Sequence, residues 1–132
     1  MERAKRVKQL TFMMPDRPGL LADVSAAIAA AKVNIASICA YAMEDTATFM
    51  LVTDGNAKAK KVIAKMGADV TEQDVVVVEM PNRPGELEKV AEKVAQGNVN
   101  IHYLYGTSSS GKTGNCVFSS ADDKKAIRLI NK

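Results

Sequence analysis

The chain has no tryptophan, three phenylalanines and three tyrosines, so aromatic residues make up only 5% of its 132 positions. That scarcity argues against an RNA-recognition surface, which stacks bases on aromatics carried by a K/R-G-F/Y-G/A-F-V-x-F/Y strand. No such pattern occurs, and Tyr103 and Tyr105, on one strand face, read as packing residues. The single histidine, His102, lies in a strand-like segment with no nucleophile or carboxylate patterned around it, and Ser108, Ser109 and Ser110 read as a turn without a supporting base. No catalytic residues are therefore expected. The two cysteines, Cys39 and Cys116, fall in apolar stretches without metal-ligand spacing, which suits buried thiols in a reducing compartment. No metal and no cofactor is expected. Wholly apolar runs are short, such as 75–78, so no membrane span is expected. The basic start, MERAKRVKQL, lacks the apolar core of a secretory signal, and the expectation is a cytoplasmic protein. Eighteen basic residues are interspersed with fifteen acidic ones, which is no nucleic-acid footprint.

What the chain does have is an internal repeat. MPDRPGLLADVSAAIAAAKVNI (14–35) aligns without gaps on MPNRPGELEKVAEKVAQGNVNI (80–101), with 11 of 22 positions identical at an offset of 66 residues, from Gly19 to Gly85. Each half reads as strand, helix, strand, strand, helix. Residues 7–14 are strand-like. Pro18 and Gly19 suit a helix entry, where proline lacks only a donor the helix cannot use. From 20 to 31, Leu21, Val24, Ile28 and Ala31 recur at helical spacing, and Leu87, Val90 and Val94 repeat that phase. The outer positions of the second helix become Glu88, Lys89, Glu92 and Lys93, as an amphipathic helix on a sheet requires. Residues 33–41 and 48–52 read as strands joined by a polar turn, and 57–67 as a helix stopped by Gly67.

A short strand over 68–73 completes a first βαββαβ unit. The expected class is α+β: two tandem ferredoxin-like units, antiparallel sheets with helices on one face, over 5–72 and 73–132. The second unit has no clear fourth strand after its last helix, roughly 122–131. Its sheet edge must stay open, be covered, or pair with another strand, and the expectation is a partner, a second copy of the chain.

The motif DRPGLL…VNI, echoed as NRPGEL…VNI, resembles the ACT domain, a βαββαβ regulatory module of amino-acid metabolism. The resemblance covers nearly the whole chain as two tandem copies and implies a stand-alone regulatory protein. It implies a free amino acid as ligand, held near the loop between first strand and first helix, commonly where two units meet. The candidate ligand-binding residues are thus Asp16, Arg17, Pro18, Gly19 and Leu20 in the first half. In the second they are Asn82, Arg83, Pro84, Gly85 and Glu86. Physics suits that loop: glycine admits close approach, and the first amides of a helix attract a carboxylate. Asp16 or Asn82 would take the ligand's ammonium group. Asn34 and Asn100 match a ligand-binding asparagine in serine-sensing relatives. Those relatives carry a histidine where this chain has Met14 and Met80, which points to a less polar ligand. The resemblance further implies a homodimer and a metabolic enzyme or regulator as partner, with no nucleic acid. The alternative is a pairing module for a metabolic enzyme that binds no ligand.

One string competes with this reading. GTSSSGKT (106–113) fits the phosphate-binding pattern G-x-x-x-x-G-K-[ST]. A working phosphate loop needs a helix starting within it, whereas here a strand resumes at Cys116. At the 66-residue offset the string falls on AYAMEDTA (40–47), a strand end and turn, so a hairpin loop is expected.

Overall fold

The computed structural model describes residues 2–132. In chain order the elements are β1 (Arg3–Pro15), α1 (Leu20–Ala30), β2 (Ile35–Met43), β3 (Thr46–Thr53), α2 (Asn56–Lys65), β4 (Thr71–Pro81), α3 (Glu86–Gln96), β5 (Ile101–Ser108), β6 (Thr113–Ser120) and α4 (Asp123–Asn131). The chain divides into two compact units. The first is Lys8–Gln73, and the second combines residues 2–7 with Asp74–Lys132.

In the first unit, β3 pairs antiparallel with both β1 and β2, and hydrogen-bonded neighbours run β2-β3-β1-β4. Only Thr71–Gln73, the start of β4, belongs to this unit, where Thr71 Oγ1 donates to the Thr11 carbonyl at 3.2 Å. The core places Leu10 and Phe12 of β1 and Phe49 and Leu51 of β3 under Leu20, Val24 and Ile28 of α1 and Ile63 of α2. Phe12 and Phe49 are register partners, with ring centroids 5.0 Å apart and planes within 7°. Alternation on the strands and i, i+4, i+8 spacing on the helix produce this single apolar layer.

The second unit repeats the plan with β4, β6 and β5, under α3 and α4. Among the described residues no strand follows α4. The edge left by that absence is taken by the start of β1, the neighbour of β4, so residues from the chain's beginning close this unit. Ala4 is buried in its core, and Lys93 Nζ donates to Glu2 Oε1 at 3.1 Å. Of the three fates open to that edge, pairing with another strand is the one adopted, and the strand comes from the same chain. The edge therefore gives no reason to invoke a second copy.

One helix detail differs from expectation. The buried stripe of α1 is Leu20, Val24 and Ile28, while Leu21 is 54% exposed; likewise Leu87 is 49% exposed and Glu86 is buried. Val24, Ile28, Val90 and Val94 face the core as their spacing requires, and only the first buried position differs, Leu20 and Glu86 standing where Leu21 and Leu87 were expected. Pro18 and Pro84 stand just before the helix caps Gly19 and Gly85.

Candidate functional site

The segments Arg17-Pro18-Gly19-Leu20 and Arg83-Pro84-Gly85-Glu86 are two copies of one turn. Leu20 N donates to the Arg17 carbonyl at 3.3 Å and Glu86 N to the Arg83 carbonyl at 3.4 Å. Gly19 has φ 84° and ψ −3°, Gly85 φ 87° and ψ −7°. These are the angles of a type II turn, with proline at its second position and glycine at its third, where φ must be positive. The turn ends in a helix whose start has no side-chain cap. Amides before the first intrahelical bond are thus left for another acceptor.

A cavity lies against each turn. The first unit's, about 290 Å³, is walled by Asp16, Arg17, Gly19, Leu20, Leu21 and residues of β2 and β3, including Tyr41 and Phe49. The second unit's, about 330 Å³, is walled by Asn82, Arg83, Glu86 and Leu87, with Leu104, Thr107, Ser108 and Cys116 from β5 and β6. Asp16 and Asn82, Arg17 and Arg83, Leu20 and Glu86, Leu21 and Leu87 are each 66 residues apart, so the cavities occupy one repeated position. Pro18, Pro84 and Gly85 shape the turns without lining the cavities.

Asn34 and Asn100 are placed elsewhere. Each precedes a strand that begins at the far end of its unit: Ile35 pairs with Thr53 and Ile101 with Ser120, whereas the turns sit by Thr46 and Thr113. Seven strand residues separate those ends, roughly 24 Å. Asn34 N donates to Asp54 Oδ1 at 2.8 Å, and the Asn100 carbonyl accepts from Ala121 N at 2.9 Å. Within one unit neither asparagine reaches the cavity.

The charges differ between the copies. Arg17 Nη2 pairs with Asp23 Oδ2 at 2.6 Å, both side chains half exposed. Arg83 Nε instead donates to Glu86 Oε2 at 2.5 Å, and Lys89 Nζ adds a second contact at 3.3 Å; the Glu86 side chain is 3% exposed. The hydrogen bond from Arg83 is the main cause holding the Glu86 carboxyl down at about 2, with Glu2 and Lys89 contributing against desolvation. The same contact raises the Arg83 guanidinium. Burial pushes the Cys116 thiol up to about 11, which makes it a packing group and not a nucleophile.

GTSSSGKT is a hairpin: Gly106–Ser108 end β5, and Thr113 begins β6, with no helix following the loop. It nevertheless belongs to the site. Gly106, Thr107 and Ser108 wall the second cavity. Asn82 Nδ2 donates to the Ser109 carbonyl at 2.7 Å and the Gly111 carbonyl at 3.1 Å, while Asn82 N donates to the Lys112 carbonyl at 2.8 Å. In the first unit Asp16 N makes the matching backbone bond to the Asp45 carbonyl at 2.8 Å, but its carboxylate cannot donate as an amide does. The walls from β2, β3, β5 and β6 were missed by sequence reasoning. No local pattern marks them, because Leu21 and Leu87, which reach the cavities from the helices, share the spacing of core positions. Among the described residues no group of three or more His, Cys, Asp or Glu is placed to hold a metal, and no helix is long and apolar enough to cross a membrane.

Residues 8–70 match the model of the ACT domain family. That segment is an ACT domain. The second unit carries the same turn, helix and cavity as the ACT unit, and the ferredoxin-like plan of both agrees with known structures. A crystallised protein from Bacteroides thetaiotaomicron superposes with TM-score 0.88 at 26% identity, covering 97% of this chain and 88% of that one. The ligand-free regulatory subunit of aspartate kinase from Thermus thermophilus gives TM-score 0.70 at 17% identity, covering 97% and 94%. Aspartokinase III of E. coli, in complex with lysine and aspartate, gives 0.56 at 11% identity, covering 98% of this chain but 31% of the enzyme. None of the curated proteins matches. These likenesses show the fold.

Proposed function

We propose that this protein is an amino-acid sensor in which the cavities beside the two RPG turns bind a free amino acid and ligand-linked changes of assembly or contact report it to a metabolic enzyme or regulator. One observation carries the reading: a cavity recurs at the same place in both units, bordered each time by an arginine and an uncapped helix start. Those are the groups a carboxylate needs, and the apolar wall suits a side chain. The aspartokinase complex with lysine and aspartate supports the ligand class. Linkage supplies the mechanism, because a ligand shifts an equilibrium only by its differential affinity for the two states. A homodimer is part of the proposal, supported by the exposed Ile38, Tyr41 and Met43 on β2. The protein acts in the cytoplasm without catalysis of its own.

The test is thermal unfolding of the full chain against each free L-amino acid. The expected result is stabilisation by one or a few, of about 2.7 kcal/mol at one hundred times Kd. It should be lost in Leu21→Trp or Leu104→Trp, which fill one cavity each from an exposed position. No response to any amino acid sinks the sensor and leaves the pairing module.

A further inference from the structure

We propose that Glu86 determines the specificity of the second unit's cavity, receiving the α-ammonium group of a zwitterionic ligand whose carboxylate pairs with Arg83. This rests on the reading of that cavity as an amino-acid site. Glu86 lines the cavity yet is 2% exposed. Its Oε2 is held by Arg83 and Lys89, while Oε1 is buried without a hydrogen-bond partner among the described residues. A buried acceptor without a donor is destabilising and rare. Glu2 is the acid set against Glu86, and it offers a proton only in its neutral form. An ammonium group is the donor this position lacks.

Two neighbours complete the recognition. The ion pair uses Arg83 Nε, so the Nη groups of this 62% exposed side chain remain for a carboxylate, which guanidinium holds in a two-pronged geometry. Asn82 gives its Nδ2 hydrogens to the Ser109 and Gly111 carbonyls, which fixes the amide's orientation and makes Oδ1 a second acceptor for the ammonium. The first unit lacks this set. Leu20 stands where Glu86 does, and Tyr41 and Phe49 occupy the places of Thr107 and Cys116. The two cavities are therefore chemically distinct: the first more apolar and aromatic, the second built around a buried carboxylate.

The experiment is ¹H–¹⁵N titration of the full chain with L-amino acids and, in parallel, their des-amino acids, such as propionate for alanine. Resonances of Asn82–Leu87 report the second cavity. The expected result is binding of an amino acid there, weakened tenfold or more in Glu86→Gln, with des-amino acids binding weakly to both proteins. Glu86→Leu, which installs the residue found at Leu20, is the second variant should the first fold poorly, and should act alike. If no amino acid moves these resonances in the unmodified protein, the sensor reading itself fails at this cavity. If amino acids bind but the Glu86 variants match the parent within twofold, or des-amino acids bind equally, only the role of Glu86 is overturned.

Discussion

Ala4 and Asn131, 127 positions apart, hold each other by two reciprocal hydrogen bonds: Ala4 N donates to Asn131 Oδ1 at 2.7 Å, and Asn131 Nδ2 donates to the Ala4 carbonyl at 2.9 Å. A side-chain amide at the end of α4 thus acts as the backbone partner that a further strand would otherwise provide. Asn131→Leu removes both bonds and leaves two part-buried backbone groups unmet. The expected loss is about 1–3 kcal/mol, read as a lower urea midpoint for the second unit. Deleting residues 2–7 strips the strand from β4 and exposes its edge, so concentration-dependent association is expected in sedimentation. A monomeric, equally stable deletion protein would contradict the closing role of β1.

The RPG turns make a backbone prediction. A Cβ at Gly85 meets nothing within 4 Å, so only its φ of +87° opposes a side chain. Gly85→Ala should cost about 1–2 kcal/mol, and Gly85→Asn less, because asparagine tolerates this region. Equal stability of the alanine and asparagine variants would show that the turn relaxes to another type.

Asn82→Asp tests the clamp on the hairpin loop. It removes both side-chain donors to the Ser109 and Gly111 carbonyls and puts there the residue that Asp16 is in the sister unit. Hydrogen exchange across 109–112 should quicken roughly fivefold to tenfold, the equivalent of about 1 kcal/mol, while exchange in the first unit stays unchanged.

Glu86 gives the second unit a pH dependence whose sign follows from its lowered carboxyl. With an ordinary value of 4.5 and a folded value of about 2, it binds protons more readily unfolded than folded. Its contribution to stability is therefore complete above about 4.5 and lost as the pH falls through about 2. Urea midpoints taken down this range should converge for the parent protein and Glu86→Gln. A constant gap between them would refute the coupling to Arg83.

The hairpin string predicts a negative result. Mg-ATP should not raise the melting temperature, and Lys112→Ala should be neutral within about 0.5 kcal/mol. A saturable shift abolished by that substitution would reinstate phosphate binding.

The amino-acid sequence by itself determined the class of fold, because a 66-residue repeat and strand and helix periodicities are local patterns that survive reading in one dimension. It also pointed to the RPG loops, since a Pro-Gly pair before a helical pattern specifies a turn with positive φ. Tertiary structure decided the rest. The first buried position of α1 and α3 depends on where the turn releases the chain, so Leu21 and Leu87 could not be told from Leu20 and Glu86 by spacing alone. Glu86 entered as a candidate ligand-binding residue by its place in the motif, but its burial beside Arg83 and Lys89, which neutralise it, is a tertiary fact. Nothing local at residues 2–7 announces that they finish a sheet begun at Asp74, for that pairing joins segments more than sixty residues apart. The string GTSSSGKT kept its meaning as a turn, but only the fold brings its first three residues to the cavity wall and its loop against Asn82.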